Sequence, residues 1–81
     1  MPLSAAQCRA ARGLLGWSQG YLAETACVGR NTVVDFERDR RLPRHNNLLA
    51  IQRALEAAGI VFIERNGGGP GVRLSDGNGG S

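Results

Sequence analysis

The sequence predicts a mainly α fold: a four-helix domain followed by a short β-hairpin or by dimerisation strands. Apolar residues recur at helical spacing before Gly59, and capping residues and glycines separate these runs into segments. A β-branched and aromatic run follows Gly59. We divide the chain into a helical domain at residues 1–59, a β extension at residues 60–74 and a disordered tail at residues 75–81, whose composition is polar and glycine-rich.

The first helix has clear start and stop signals. Ser4 and Gln7 have the spacing of a capping box, in which each side chain bonds the other residue's backbone N–H. The helix is predicted to run to about Leu15, and Gly16 ends it. The expected inward stripe consists of Cys8, Ala11, Leu14 and Leu15.

Residues 18–38 predict two short helices joined by a tight turn. Ser18 is a good N-cap, and Trp17 and Leu22 have the spacing of a hydrophobic staple across it. The run Cys27-Val28-Gly29 interrupts the helical period, and a second helix follows with Val33 and Phe36 directed inward. The outward positions of this second helix are Arg30, Asn31, Thr32, Val34 and Asp35.

This segment resembles the helix-turn-helix of the Cro and phage-repressor type, the XRE family. The residues that carry the resemblance are Gln19, Ala23, Cys27, Val33 and Phe36. Arg12 and Glu37 match a further pair in that family, so the resemblance implies a structural ion pair between them. The likeness extends over residues 7–58. It implies that the second helix of the motif is a DNA recognition helix.

Two positions depart from the family pattern. Cys27 occupies a turn position usually held by glycine, and a non-glycine residue with positive φ costs about 1 kcal/mol. Gly29 occupies the cap position usually held by Ser or Thr, at a cost of only a few tenths of a kcal/mol.

The last part of the chain predicts a basic loop, a fourth helix and two strands. Pro43 closes the loop, and a helix over residues 45–58 carries Leu48, Ile51 and Leu55 inward before Gly59 ends it. Strands at residues 60–63 and 72–74 flank a loop at residues 66–71, a tail that resembles that of some small bacterial family members. Because a lone two-stranded ribbon is marginal, we expect the strands to pack on the helices or to pair with a second copy.

Charge and composition favour nucleic acid and disfavour catalysis. The net charge is +3, all ten basic residues are arginines, and five of them surround the second motif helix. Clustered arginines suit phosphate and base contacts, although nearby acidic residues allow a merely solvated face. Neither an enzyme's nucleophile–base pair nor a metal-ligand cluster is present, and no cofactor is expected. We expect Cys8 and Cys27 to be small, partly buried packing residues, with a redox switch at Cys27 as the alternative.

The resemblance implies a homodimeric transcriptional regulator, a repressor by preference, that binds double-stranded DNA. Arg30 and Asn31 would contact base edges, as would Thr32 or Val34. Asp35 either accepts from cytosine or holds Arg30 or Arg38 in place. The expected phosphate contacts are Gln19, Arg38, Arg40, Arg41 and Arg44.

A rival hypothesis is a protein-interaction module of the antitoxin or antiactivator type, using the same scaffold or the C-terminal strands to bind a protein partner. The chain has neither a signal peptide nor a run long enough to span a membrane, so we expect a cytoplasmic protein, associated with the nucleoid when bound to DNA.

Overall fold

The computed structural model describes residues 3–63 and 70–75, and it confirms the predicted fold class. The elements in chain order are α1 Ala5–Leu15, α2 Gln19–Ala26, α3 Arg30–Glu37, α4 His45–Ala57, β1 Ile60–Ile63 and β2 Gly71–Leu74. The tail predicted at residues 75–81 and the loop predicted at residues 66–71 lie largely outside the described residues.

Local capping fixes both ends of α1. Ser4 Oγ accepts from the Gln7 N–H at 3.1 Å, and Gln7 Oε1 accepts from the Ser4 N–H at 2.9 Å, as the capping-box spacing predicts. At the other end Gly16 takes the left-handed conformation with φ of 69°, and its N–H bonds the carbonyls of Arg12 and Gly13. The helix therefore ends where the glycine signal placed its end.

The inward stripe of α1 differs from the prediction at one residue. Cys8 and Ala11 are fully buried and Leu15 packs against the core, but Leu14 is 45% exposed. Successive helical residues turn by about 100°, so positions 8, 11 and 15 share one face and position 14 lies off it. Leu14 is therefore a surface residue.

The turn between α2 and α3 contains a left-handed cysteine. Ser18 caps α2 by accepting from the Tyr21 N–H at 3.0 Å. Cys27 ends α2 with φ of 59° and ψ of 42°, and Gly29 begins α3 without a side-chain cap. The thiol of Cys27 is exposed, so the expectation that both cysteines are partly buried is wrong for Cys27, whose turn position faces solvent.

Replacing Cys27 by glycine is expected to stabilise the domain by about 1 kcal/mol, because glycine adopts positive φ without the Cβ clash. Thermal or urea unfolding of the reduced protein measures the change. Cys27→Ala keeps the Cβ and removes only the sulfur, so it should stay within about 0.5 kcal/mol of the wild type. Equal stability of the glycine and alanine variants would show that the turn carries no strain.

The core lies where α2, α3 and α4 meet. Its largest fully buried side chains include Leu22 from α2, Val33 from α3, and Ile51 and Leu55 from α4. Phe36 joins them from the inner face of α3. Two anchors one turn apart therefore hold α3 from behind.

The two strands form an antiparallel hairpin within the chain. Ile60 pairs with Leu74 and Ile63 pairs with Gly71. The hairpin packs mainly on α1 and α4. Ile60 is buried, and Phe62 from β1 and Val72 from β2 rest against the helical core. The strands thus pack on the helices, which is one of the two arrangements that the sequence led us to expect. A role of the strands in dimerisation remains a prediction.

Candidate nucleic-acid interface

The outer face of α3 is available to a partner at its N-terminal end. Arg30 and Asn31 are exposed, whereas Thr32, Val34 and Asp35 are half-buried. The side chains that anchor α3 project from the opposite face, so the predicted base-contacting residues lie together on the outer side. The N-terminal end of this outer face therefore exposes the guanidinium of Arg30 and the amide of Asn31 to solvent.

The side chain of Arg30 lies beside the first turn of α2. Its Cδ and Nε are each 3.9 Å from the point where a Cβ on Gly20 would stand. A Cβ at position 20 would therefore be in ordinary van der Waals contact with this arginine. The aliphatic part of Arg30 thus lies near the N-terminal end of α2, which carries the positive end of the helix dipole.

The basic loop after α3 is held to the helix through its backbone. The N–H groups of Arg40 and Arg41 both bond the carbonyl of Asp35, at 2.9 and 3.4 Å. Asp39 has φ of 57°, a conformation that aspartate tolerates better than most residues. The loop backbone is therefore tied down, while the side chains of its predicted phosphate-binding arginines are exposed: Arg38, Arg40, Arg41 and Arg44.

A groove of about 330 Å³ separates the outer face of α3 from this loop and the start of α4. Asn31, Thr32 and Asp35 line one wall, and Arg41, Leu42, Pro43, Arg44 and Asn47 line the other. Neither Leu42 nor Asn47 was predicted from the sequence. The side chain of Leu42 is 72% exposed, and its neighbours in the sequence are arginines and a proline. The one feature of the sequence that could have indicated a role for Leu42 is an apolar residue inside a basic run.

A buried carboxylate ties the end of α3 to α1 and α2. The two oxygens of Glu37 accept from Arg12 Nε and Nη2, each at 2.7 Å, which is a bidentate ion pair. Cys8 Sγ donates to the same carboxylate at 3.1 Å, and Gln19 Nε2 donates at 3.0 Å. The family-implied pair of Arg12 and Glu37 is thus present, with two further donors that the sequence did not reveal.

The surroundings of this carboxylate shift the pKa values of its members. Burial alone raises the pKa of Glu37, but the hydrogen bonds from Arg12, Cys8 and Gln19, together with the Arg12 charge, outweigh burial and hold it below its usual value. Burial, followed by the hydrogen bond to Glu37, raises the pKa of the Cys8 thiol. The hydrogen bond to Glu37 raises the pKa of Arg12. Cys8 is therefore a neutral donor, and the Arg12–Glu37 pair is charged.

Arginines of α1 also bond backbone carbonyls at the motif. Arg9 Nη1 donates to the carbonyl of Glu37, the last residue of α3. Arg12 Nη1 donates to the carbonyl of Trp17 at 2.9 Å, just before α2. Cations at a helix C-terminus complement the helix dipole. The first helix therefore fixes the position of both motif helices.

Comparison with known proteins decides the family. A family model described as helix-turn-helix matches residues 9–58, more than half of the chain. The protein is a member of the XRE-type helix-turn-helix family. Members of this family are DNA-binding regulators, which is the general function of this chain. No curated protein matches the sequence.

Within this helix-turn-helix protein, the contacts of two predicted site residues, Gln19 and Asp35, bear on their expected roles. Gln19 is predicted to contact phosphate, and its amide nitrogen donates to Glu37 at 3.0 Å. An amide nitrogen has two N–H groups, so a phosphate contact through the second N–H stays a prediction. Asp35 shows no ion pair with Arg30 or Arg38, since Arg12–Glu37 is the salt bridge found among residues 3–63 and 70–75. The structure therefore does not show the arginine-holding role considered for Asp35.

Neither a metal-ligand group nor a membrane-spanning helix is found in the described ranges. Among residues 3–63 and 70–75, no group of three or more His, Cys, Asp or Glu side chains is placed to hold a metal ion. No helix in the same part of the helix-turn-helix protein is long and apolar enough to cross a membrane.

Proposed function

We propose that this protein is a sequence-specific transcriptional regulator, most simply a repressor, that binds an inverted-repeat operator as a homodimer. Helix α3 enters the major groove in each half-site, and the two half-sites lie one helical turn, about 34 Å, apart. The observation that carries the proposal is the outer face of α3, where Arg30 and Asn31 are exposed while the opposite face is locked into the core. The protein acts in the cytoplasm and lies on the nucleoid when bound.

The side chains on this face suit base edges. Arg30 donates two parallel hydrogen bonds to guanine O6 and N7, and Asn31 pairs with adenine N6 and N7. Thr32 or Val34 contacts a thymine methyl group. Asp35 accepts a hydrogen bond from cytosine N4. This role is favoured because Asp35 forms no ion pair with an arginine among the described residues.

Phosphate contacts flank the recognition helix on both sides. On one side the first N–H groups of α2, near Gln19, face the DNA backbone beside the Arg30 side chain. On the other side are the exposed arginines at positions 38, 40, 41 and 44. Arg41 and Arg44 line the same groove as Asn31, Thr32 and Asp35, three of the residues that we propose contact bases. These contacts supply affinity and register without sequence preference.

The proposal is tested by separating specific from non-specific binding. The operator is first selected from random duplexes, and affinities are then measured by fluorescence anisotropy on the operator, on single-base variants and on random DNA. Arg30→Ala is expected to lose about 1–3 kcal/mol on the operator and to lose preference at one base pair. Arg41→Ala should weaken all duplexes similarly and reduce the slope of log affinity against log salt by about one.

Arg53→Ala is the matched control, because Arg53 is an exposed arginine on α4 that does not line the groove. It removes the same charge and should leave the operator affinity near that of the wild type. Equal loss by Arg30→Ala on operator and random duplexes would refute base contact by this residue. Failure to select any preferred duplex would refute sequence-specific binding altogether.

A further inference from the structure

Leu42 is the most exposed of the large apolar side chains in the described part of the chain. Its side chain is 72% exposed, whereas the other exposed large apolar side chains described there are 39–51% exposed. The next residue, Pro43, is buried, so the loop is anchored to the protein through the proline and not through the leucine. Covering an apolar side chain removes its surface from water, which favours association. Leu42 is therefore available for an apolar contact with a partner.

The backbone of Leu42 is restricted although its side chain is exposed. A residue that precedes proline is confined to extended conformations. On the other side, the N–H of Arg41 bonds the carbonyl of Asp35 at 3.4 Å. A side chain on a restricted backbone loses less conformational freedom on binding than one on a mobile loop. A contact through Leu42 therefore has a small entropic cost.

Leu42 lies between the groove beside α3 and a second pocket. It lines the groove of about 330 Å³, and it also lines a pocket of about 200 Å³. The other residues that line the second pocket are Phe36, Asp39, Arg40 and Arg41. The exposed leucine is therefore at the border of the surface that we propose binds DNA, next to the outer face of α3.

The charges around Leu42 suit one strand of a DNA backbone. Arg41 and Arg44 lie with Leu42 on one wall of the groove, and Asp35 lies on the other wall. Phosphates are attracted to the arginines and repelled by the carboxylate, so a strand should follow the loop and not α3. Along such a strand, phosphates alternate with deoxyriboses, whose carbon atoms are apolar. A leucine between two arginines matches this alternation, whereas a single apolar side chain is a small patch for a protein interface.

We propose that Leu42 packs against a deoxyribose of the DNA backbone, between phosphates bound by Arg41 and Arg44. The inference rests on the proposed function and adds to it an apolar contact outside the recognition helix. Covering the leucine adds affinity without releasing counterions and without contacting a base. The contact therefore has a salt dependence unlike that of the arginines and a sequence dependence unlike that of α3.

The test measures the affinity of the full chain for the selected operator and for a random duplex by fluorescence anisotropy, over a series of salt concentrations. Leu42→Ala should weaken binding about fivefold on both duplexes and leave the slope of log affinity against log salt unchanged, because no charge is removed. Leu42→Met keeps an apolar side chain of similar size and should stay within about twofold of the wild type.

Leu14→Ala is the matched control, because it removes the same atoms from an exposed leucine on α1 that lines neither the groove nor the second pocket. It should bind both duplexes as the wild type does. Thermal unfolding of the three variants establishes that each keeps the fold, which the exposure of both leucines leads us to expect.

Hydroxyl-radical footprinting detects the contact directly, because the radical cleaves DNA by attacking the hydrogens of deoxyribose. The wild type should protect a deoxyribose next to the phosphates bound by the loop in each half-site. Leu42→Ala should lose that protection even when the duplex is saturated with protein, while the protection elsewhere in the half-site is kept.

Three results would overturn the proposal. Wild-type affinity of Leu42→Ala on both duplexes would leave the exposed leucine to a protein partner and leave recognition by α3 intact. A loss confined to the operator, with preference lost at one base pair, would indicate a thymine methyl contact in place of a deoxyribose. An equal loss in Leu14→Ala would show that the effect does not belong to the loop. By contrast, the expected loss on random duplexes without any selectable operator would uphold the contact and refute sequence-specific regulation.

Discussion

Glu37→Gln is expected to destabilise the domain by about 3–5 kcal/mol, because it breaks a buried ion pair by removing one partner. The carboxylate is buried and accepts from Arg12 through both oxygens. A glutamine keeps the shape but presents an NH₂ group to donors, which leaves the Arg12 guanidinium without its counter-charge. Urea unfolding at neutral pH measures the loss, and Glu24→Gln, at an exposed position on α2, is the control, expected within about 0.5 kcal/mol of wild type.

The same variant should change the pH dependence of stability. The pKa of Glu37 is lowered in the folded state, so its contribution is fully present above the unfolded carboxyl pKa of about 4.3 and is lost as pH falls through the folded value. The free-energy difference between wild type and Glu37→Gln should therefore be constant above that pH and shrink below it. A difference that stays constant down to about pH 3 would show that the charge of Glu37 does not stabilise the fold.

This carboxylate also shows why α1 belongs to the DNA-binding unit. Arg9 and Arg12 of α1 bond Glu37 at the end of α3, and Gln19 bonds it from the start of α2. Buried pairs often cost more in desolvation than they return in stability, so their best-supported use is to fix one arrangement. Here the arrangement fixed is the angle between α2 and α3, which the proposed docking into a groove requires.

Much of the fold was predictable because its signals are local. Ser4 and Ser18 act through backbone groups three residues away, and Gly16 and Gly59 end helices through their own φ angles. Such interactions are set by sequence neighbours and need no knowledge of the tertiary structure. For the same reason, the bounds of α1 agree with the capping and glycine signals in the sequence.

The contacts that the sequence did not reveal are long-range. The amides of Gln7 and Gln19 match local patterns, a capping box and a helix start, yet their nitrogens bond groups 64 and 18 residues away. The Cys8 thiol has the periodicity of a packing residue and also donates to Glu37. A polar side chain with a local role has donors left over, and only the tertiary fold decides where they point.

Gln7 is the second residue at which one substitution should have a large effect. It is 4% exposed, and its Nε2 donates to the carbonyls of Gly71 at 3.0 Å and Ile63 at 3.4 Å, the pair of residues at the loop end of the hairpin. Its Oε1 meanwhile accepts from the Ser4 N–H. One amide therefore caps α1 and ties both strands to it. The two functions use different atoms, so one substitution can separate them.

Gln7→Glu keeps the acceptor that caps α1 and replaces the donor with a second carboxylate oxygen. Glutamate serves a capping box as well as glutamine does, so the start of the helix should survive. The new oxygen faces the carbonyls of Ile63 and Gly71, and a buried charge without a donor is costly. We expect a loss of about 2–3 kcal/mol at neutral pH, with faster amide exchange in β1 and β2 than in α2 and α3.

Measuring stability at lower pH distinguishes Gln7→Glu, which loses only the amide donor, from Gln7→Ala, which loses the whole polar side chain. The introduced carboxyl is buried and its second oxygen faces two carbonyls, so its pKa should be raised, and the stability lost in Gln7→Glu should return in part as pH falls through that pKa. Protonation makes it a neutral acid whose O–H can donate to either strand carbonyl, which restores one of the two lost hydrogen bonds. Gln7→Ala removes both the donor and the cap, so its loss should not reverse at low pH. If Gln7→Glu proves as stable as the wild type at neutral pH, with the hairpin amides equally protected, then the amide of Gln7 does not hold the hairpin on α1.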